Sequence, residues 1–248
     1  MAIIWQKTIN DTHYEVKAAG NSRRLYSDGV FHSQYNPARP ITGTLWDLLM
    51  LPAFFYTPGT LQRVLVLGLG GGTVVRQLLH FVRPEHIVCV ELDPVHIIIA
   101  QRFFGITQKN AEIYEADAKL WIENYQGPRF DMIIDDLFGE RHGQPVRAID
   151  ANAGWFRSLT QHLAPAGAIV INFVSRHEMR QSGYFSNMAV ARRFKSAFQL
   201  TDPVCDNAIG VFLRRQATSR MLRERLKVTP ELNTALKNGK LRYRIRRM

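Results

Sequence analysis

The chain has 248 residues, 46% hydrophobic and 21% charged, which is typical of a globular protein with one large core. It contains no run of 18 apolar residues, and its first seven residues lack the pattern of a secretory signal, so we expect neither a membrane span nor a leader. Its only two cysteines, Cys89 and Cys205, lack metal-ligand spacing, which predicts a reducing, cytoplasmic setting and no metal site.

The net charge of +11 is concentrated in one segment. Residues 214–248 carry 12 Lys and Arg against 2 Asp and Glu, whereas the rest of the chain carries 20 against 19. The basic character is therefore a property of the tail, and the remainder of the chain is close to neutral.

The amino-terminal part of the chain has the pattern of short antiparallel strands. Residues 1–35 alternate and turn, and residues 24–33 predict a hairpin around Asp28 and Gly29, because Asp-Gly favours a tight two-residue turn. Residues 44–51 then predict a helix that stops before a proline.

From residue 63 onward, strand and helix patterns alternate. The predicted strands are 63–68, 86–91, 111–115, 130–135 and 168–174, and the predicted helices are 72–82, 94–104, 117–124, 150–163 and 184–197. A final strand pair is expected at 198–205 and 208–214. This alternation predicts an α/β fold with a mainly parallel, doubly wound, Rossmann-like sheet covered on both faces.

We expect three regions along the chain: an N-terminal β-hairpin region with a helix at residues 1–55, an α/β domain at 56–215 and a basic extension at 216–248. In the tail we expect a helix over 221–227, another from residue 229, and a strand over 241–247.

A glycine cluster marks the turn between the first predicted core strand and its helix. It consists of Gly68, Gly70, Gly71 and Gly72, and Glu91 ends the next strand 23 positions after Gly68. This order is typical of nucleoside-binding βαβ units, in which glycines allow a tight turn and let a ligand reach free N–H groups at the helix start. Thr73 stands where a dehydrogenase has its third glycine, so the pattern favours S-adenosylmethionine over NAD(P). We expect Glu91 to bind ribose hydroxyls.

Acidic residues follow the next two strands as well. Asp117, with Ala118 beside it, is a candidate for the adenine amino group, and Asp135 and Asp136 are candidates for a general base. Each acid also has a structural interpretation as a helix cap or loop residue, and we expect Asp93 to be a cap. Neighbouring residues on a strand point to opposite sides, so only one of Asp135 and Asp136 can face a given pocket.

These segments resemble spermidine synthase and its methyltransferase-like relatives, a class I S-adenosylmethionine-dependent family. The similar segments are residues 64–79, 90–93, 115–118 and 130–136, together with the upstream hairpin at 25–32. The resemblance implies the family's fold with an antiparallel last strand, a donor that is S-adenosylmethionine or its decarboxylated form, and Asp136 or its neighbour Asp135 as the catalytic aspartate. His32, on the hairpin over the cleft, is a candidate to orient the donor, and its alternative interpretation is a hydrogen-bonded structural residue.

The sequence departs from the aminopropyltransferase pattern at four places. Gly71 replaces an aspartate that meets the donor's amine, His32 replaces a glutamine, the expected His-Glu pair is missing around residues 43–47, and residues 137–140 lack a second aspartate. Glycine with free N–H groups suits the carboxylate of intact S-adenosylmethionine. We therefore expect a methyltransferase acting on a small molecule. The alternatives are aminopropyl transfer from decarboxylated S-adenosylmethionine and, without catalysis, nucleoside or nucleic-acid binding.

Two polar segments remain without an assigned role. The long polar stretch between residues 140 and 150 is expected to be a loop that serves as a lid or acceptor site. In the basic tail, Leu222, Leu226 and Leu232 are expected to pack on the core or on a second subunit, which is compatible with a homodimer. Phosphate binding by the tail is the second interpretation, and we favour the first because the tail has no RNA-binding motif.

Overall fold

The computed structural model describes residues 1–141 and 144–248. The chain begins with a four-stranded antiparallel sheet formed by β1 (Ala2–Ile9), β2 (Thr12–Ala19), β3 (Ser22–Ser27) and β4 (Val30–Tyr35), in that order. Asp28 and Gly29 have φ values of 46° and 79° and join β3 to β4, so the predicted Asp-Gly hairpin is confirmed. Tyr14 of β2 donates a hydrogen bond to Asp93 at 2.7 Å and ties this sheet to the core.

The larger sheet has eight strands in the order β14-β12-β13-β11-β8-β5-β6-β7. Its strands are β5 (Arg63–Leu67), β6 (His86–Glu91), β7 (Glu112–Glu115), β8 (Phe130–Asp135), β11 (Leu163–Phe173), β12 (Ser196–Thr201), β13 (Ala208–Leu213) and β14 (Arg244–Arg247). The five strands from β11 to β7 are parallel, and β13 pairs antiparallel with both β11 and β12. The predicted α/β fold with an antiparallel last strand is confirmed.

Ten helices accompany these strands in the described part of the chain. They are α1 (Leu45–Met50), α2 (Thr73–Phe81), α3 (Pro94–Phe103), α4 (Ala118–Asn124), α5 (Ala153–Gln161), α6 (Arg176–Gln181), α7 (Gly183–Ser186), α8 (Met188–Ala191), α9 (Ser219–Val228) and α10 (Pro230–Lys237). A 3₁₀ turn, Leu51–Phe55, continues α1. Alternate residues of β5 enter two separate apolar clusters, with Val64 and Val66 in one and Leu65 and Leu67 in the other, so both faces of the sheet are covered.

Two predicted elements differ from the structure. The helix expected over 184–197 is instead divided between the short helices α7 and α8 and the start of β12. Asn187 interrupts it in extended conformation and caps α8. The loop expected over 140–150 contains an antiparallel pair, β9 (Phe138–Arg141) and β10 (Gln144–Arg147). Residues 142 and 143 of that expectation lie outside the described residues.

The basic tail is folded onto the core. Leu222, Leu226 and Leu232 are fully buried in the cluster that contains Val64 and Val66, and β14 extends the large sheet along β12. The expectation that these leucines pack on the core is confirmed. Among the described helices, none combines the length and apolar character that crossing a bilayer requires.

Candidate active site

The carboxyl ends of four parallel strands bring the predicted site residues to one edge of the sheet. The register pairs Leu67 of β5 with Val90 on one side and Asp135 on the other, and it pairs Glu91 with Glu115. The glycine loop after β5 therefore lies between the ends of β6 and β8. Ligands of open α/β sheets bind at this edge.

Gly68 lies against the backbone of the neighbouring strand end. Its φ is +86°, and a Cβ at this position would collide with the carbonyl oxygen of Asp136. The Asp136 amide in turn donates to the Leu67 carbonyl at 2.9 Å. Gly68 is therefore needed for two reasons, its left-handed conformation and the close passage of the segment that carries Asp136.

Glu91 holds the glycine loop through its carboxylate. One oxygen, Oε2, accepts hydrogen bonds from the amides of Leu69 and Gly70, both at 2.8 Å, and Oε1 accepts one from the Asp93 amide at 3.0 Å. Glu91 is 8% exposed. A carboxylate has about four acceptor positions, so this arrangement leaves one for a ribose hydroxyl. The predicted ligand is also the residue that shapes the loop.

Ser33 fills the space in front of Gly71. Its Oγ accepts a hydrogen bond from the Gly71 amide at 2.7 Å, and a Cβ at Gly71 would lie 2.7 Å from the Ser33 Cβ and 3.0 Å from the ring of Phe104. The Gly72 amide donates to the Leu69 carbonyl at 2.8 Å. The amides of residues 69–72 therefore already have acceptors, from Glu91, Ser33 and Leu69. The free N–H groups expected at the start of the helix, beyond Gly72, stay a prediction.

His32 lies beside a second histidine that sequence reasoning missed. Its ring centroid is 4.9 Å from that of His96 on α3. Burial, reinforced by the neighbouring His96, lowers the pKa of His32 to about 4, so the ring is neutral at neutral pH. His96 contacts the Ser27 hydroxyl at 2.9 Å. The only sequence signal for His96 was its place on the helix that follows Glu91.

Asp117 and Ala118 lie where the sequence placed them, at the start of α4. The Asp117 Oδ1 accepts from the Leu120 amide at 2.9 Å and so caps the helix, while the residue itself is exposed. Ala118 is 7% exposed. Nearby, Leu92 has 67% of its surface exposed at the same edge and offers an apolar contact for a base. Asp93 caps α3 through the Val95 amide at 2.8 Å, as expected.

Asp135 and Asp136 have different environments. The Asp135 side chain is completely buried and accepts hydrogen bonds from the Arg147 guanidinium at 2.8 Å and from the Trp155 indole at 2.7 Å. Arg147 also donates to the carbonyl of Asn172 at 2.6 Å. These bonds occupy Asp135 within the protein, which leaves Asp136 as the better candidate for proton transfer.

Asp136 is partly buried and held by a chain of two amides. The Asn172 Nδ2 donates to its Oδ1 at 2.7 Å, and the Asn207 Nδ2 donates to the Asn172 Oδ1 at 3.0 Å. Burial, with a smaller contribution from the charge of Asp135, raises the pKa of Asp136 to about 6. A carboxyl group with this pKa is mostly ionised at neutral pH and is suited to accept a proton from an amine. Neither asparagine had a motif that marked it in the sequence.

The residues at this edge fit a nucleoside donor. Glu91 and Asp117 present carboxylate oxygens that could accept from hydroxyls or an amine, and Leu92 is an apolar neighbour. At Gly70 a Cβ would lie 3.1 Å from the Ser33 Oγ and 3.3 Å from the His32 carbonyl oxygen. This donor set can bind an adenosine, and Asp136 lies next to it along the sheet edge.

Comparison with known proteins assigns the chain to a family. The profile of the spermine/spermidine synthase domain matches residues 47–205. A polyamine aminopropyltransferase from Ralstonia nicotianae is 25% identical over 193 residues, which cover 62% of this chain and 36% of that protein. One from Vibrio vulnificus is 29% identical over 121 residues, covering 48% and 40%. The chain thus spans little more than a third of the length of the first curated relatives it matches.

Several solved structures have a similar fold. A probable spermidine synthase from Corynebacterium glutamicum has a TM-score of 0.76 at 19% identity, over all of this chain and 91% of the other. A spermidine synthase in complex with the transition state analogue AdoDATO has a TM-score of 0.65 at 13% identity, over 89% and 75%. Human methyltransferase-like protein 13, in complex with SAH, has a TM-score of 0.62 at 20% identity, over 77% and 91%. At these identities the structures support the fold alone. Because the family profile covers well over half of its residues, this chain belongs to the spermine/spermidine synthase domain family.

Proposed function

We propose that the chain is a transferase that moves an aminopropyl group from decarboxylated S-adenosylmethionine to an amine, with Asp136 as the general base. The observation that carries the proposal is the partly buried Asp136 carboxyl, with a pKa near 6, at the strand end next to the glycine loop. Family membership and the polyamine aminopropyltransferases among its relatives support this choice of group and donor.

The donor site uses the residues at the ends of β5, β6 and β7. Glu91 holds the loop and offers its remaining acceptor position to the ribose, Asp117 accepts from the adenine amine, and Ala118 and Leu92 contact the base. Neutral His32 lies above this site on the hairpin. When bound, the donor supplies a carbon made electrophilic by the adjacent sulfonium.

The protein's part in the reaction is to position the acceptor and to take up its proton. The amine nitrogen forms the new C–N bond as the C–S bond breaks and its electron pair stays on sulfur. The proton lost by the amine passes to the Asp136 carboxylate, which releases it to solvent. Holding the reactants in line supplies several kcal/mol, about 7–11 at best, and Asn172 fixes the carboxylate that receives the proton.

Methyl transfer from intact S-adenosylmethionine to a small molecule is the second candidate. It is favoured by one observation, the absence of a side chain at Gly71, where no carboxylate neutralises the ammonium of a decarboxylated donor. The other argument for methyl transfer, free N–H groups at the helix start, does not extend to Gly71 itself, because Ser33 accepts from that amide. The comparisons also favour aminopropyl transfer.

Calorimetric titration with decarboxylated S-adenosylmethionine, S-adenosylmethionine and methylthioadenosine tests the proposal. We expect the decarboxylated donor to bind more tightly than the intact one, and Glu91→Ala to abolish binding of both. Glu85→Ala is the matched control, because Glu85 is an exposed acid at the opposite edge of the sheet. Tighter binding of the intact donor would select methyl transfer. Binding of none of the three would leave a protein without this donor and would overturn both enzyme proposals.

A further inference from the structure

The basic tail presents its cations on a folded surface. Leu222 and Leu226 of α9 are completely buried, so the opposite side of this helix faces solvent. Arg223 and Lys227 lie on one flank of the helix, between the buried leucines and the solvent-facing side that carries Glu224. They are one helical turn apart, and both are exposed. A helix of ten residues fixes such side chains over about 15 Å. The charge is therefore held in place by the core and does not hang on a flexible segment.

The neighbouring strand adds to the same charged region. β14 is the terminal strand of the large sheet and packs beside α9. Its residues Arg244, Arg246 and Arg247 are exposed, whereas Ile245 packs on the core on the same face of the sheet as α9. Alternation along the strand places Arg247 on that face and Arg244 and Arg246 on the other, so the three arginines flank the free edge of β14 from both sides. We call the exposed cations Arg223, Lys227, Arg244, Arg246 and Arg247 the basic tail surface.

These five cations lack acidic partners. In residues 1–141 and 144–248, the ion pairs of the tail involve Arg220 with Glu224, Arg242 with Asp202, and His80 with Glu231. No member of the basic tail surface is within 4.0 Å of a carboxylate in that part of the chain. Unscreened like charges raise the free energy of the folded protein, so an anionic partner would stabilise this surface.

We infer that the basic tail surface binds the phosphodiester backbone of a nucleic acid. This function is separate from the proposed group transfer and does not depend on it. Four of the five cations are arginines, whose planar guanidinium matches the oxygens of a phosphate. Repeated phosphates also suit an array of cations spread over a helix and a strand.

A membrane surface fits this region less well. Helices that lie on membranes insert an apolar face among the lipids. The apolar face of α9 is occupied by the protein core, since Leu222 and Leu226 are 0% exposed. A second copy of the chain against β14 is also disfavoured, because it would bring the same arginines together.

The inference is tested by measuring the binding of fluorescent single-stranded RNA and DNA, each of about 20 nucleotides, as a function of salt. The variant carries Arg223→Gln, Lys227→Gln and Arg246→Gln. The matched control carries Lys7→Gln, Arg83→Gln and Lys109→Gln, which are also exposed but lie on other elements. Vesicles of neutral and of anionic lipid form a further arm. Unchanged circular dichroism spectra and thermal unfolding midpoints show that each variant is folded.

We expect the wild-type protein to bind nucleic acid with an affinity that falls steeply with salt. Each cation that contacts a phosphate of a single strand contributes about 0.7 to the slope of log affinity against log salt, so the triple variant should lower the slope by about 2. The control should leave it unchanged. Preference for RNA or for DNA would identify the natural partner. Absence of binding at low salt, equal loss in the control, or binding to anionic vesicles alone would overturn the inference.

Discussion

The side-chain amide of Asn172 donates a hydrogen bond to the carboxylate of Asp136, with 2.7 Å between Nδ2 and Oδ1. Asn172 is on β11 and Asp136 directly follows β8, so the bond joins the ends of two adjacent parallel strands. Asn172 is 2% exposed and is itself held by Asn207. The candidate base is thus held by the neighbouring strand β11, whereas the glycine loop follows β5, the strand on the other side of β8.

Asn172→Leu should move the acidic limb of the pH–activity profile to higher pH. The Asn172 hydrogen bond lowers the pKa of Asp136, so its loss raises that pKa above about 6. A lost hydrogen bond to a charged group corresponds to about 1.5–3 kcal/mol, or about 1–2 pKa units, so we expect kcat/KM at pH 7 to fall about 2- to 15-fold as the ionised fraction of Asp136 decreases. Asn207→Ala, which keeps the direct bond, should shift the limb less. An unchanged pH profile in Asn172→Leu would contradict this role.

Asp136→Asn should stabilise the protein at pH 8 while it lowers activity about 10²- to 10⁴-fold. Burial raises the pKa of Asp136 from 3.8 to about 6, so the folded state holds this proton more tightly than the unfolded state. The associated stability is complete below pH 3.8 and is lost as the pH rises through 6. The neutral amide of asparagine does not ionise, so at pH 8 the variant should exceed the wild type in unfolding free energy by at most about 3 kcal/mol. Denaturant unfolding at pH 8 and pH 4 measures it, with the exposed Asp206→Asn as control. Equal effects at both pH values would refute the assignment.

Arg147→Met should destabilise the fold strongly because it leaves the Asp135 carboxylate buried without its cation. Removing one partner of a buried ion pair typically lowers the unfolding free energy by about 3–5 kcal/mol. Adding Asp135→Asn should recover part of this loss, which urea unfolding of the single and double variants measures. Arg220→Met, at a solvent-exposed pair, should leave the midpoint unchanged. A mild effect of Arg147→Met would mean that Asp135 is available for another role.

Gly71→Asp should weaken donor binding instead of creating an aminopropyl site. The new Cβ would lie 2.7 Å from the Ser33 Cβ and 3.0 Å from the Phe104 ring, so the side chain has no room. Combining it with Ser33→Gly makes space, and the double variant should bind the decarboxylated donor more tightly than Ser33→Gly alone. Calorimetry of the three variants measures this. Tighter donor binding by Gly71→Asp alone would contradict the crowding that the structure shows.

The main features of the fold could be predicted from the sequence because each of them has a local sequence pattern. The glycine loop, the Asp-Gly hairpin and the strand periodicity identified the parallel sheet and its ligand-binding edge. The helix expected over 184–197 was wrong because the Asn187 side chain accepts hydrogen bonds from two backbone amides and starts a new helix, and because β12 already begins at Ser196. The division of the chain into three regions, with boundaries after residues 55 and 215, stays a prediction.

The site was predicted only as far as the motif extends. Glu91 and Asp136 follow strands directly, so their place was readable from the order of the elements. Ser33, Arg147 and Asn172 reach the site from segments far away in sequence, at separations of 38, 12 and 36 residues from their partners. No local pattern encodes such contacts, and the occupied N–H group of Gly71 was missed for this reason.

The most direct test of the central claim is product analysis by mass spectrometry after incubation with an equimolar mixture of diamines and either donor. We expect decarboxylated S-adenosylmethionine to yield methylthioadenosine and an aminopropylated amine, at a rate that falls about 10²- to 10⁴-fold in Asp136→Asn. Formation of S-adenosylhomocysteine from the intact donor would establish methyl transfer in its place. Equal product formation by wild type and Asp136→Asn, or no product from either donor, would contradict the account.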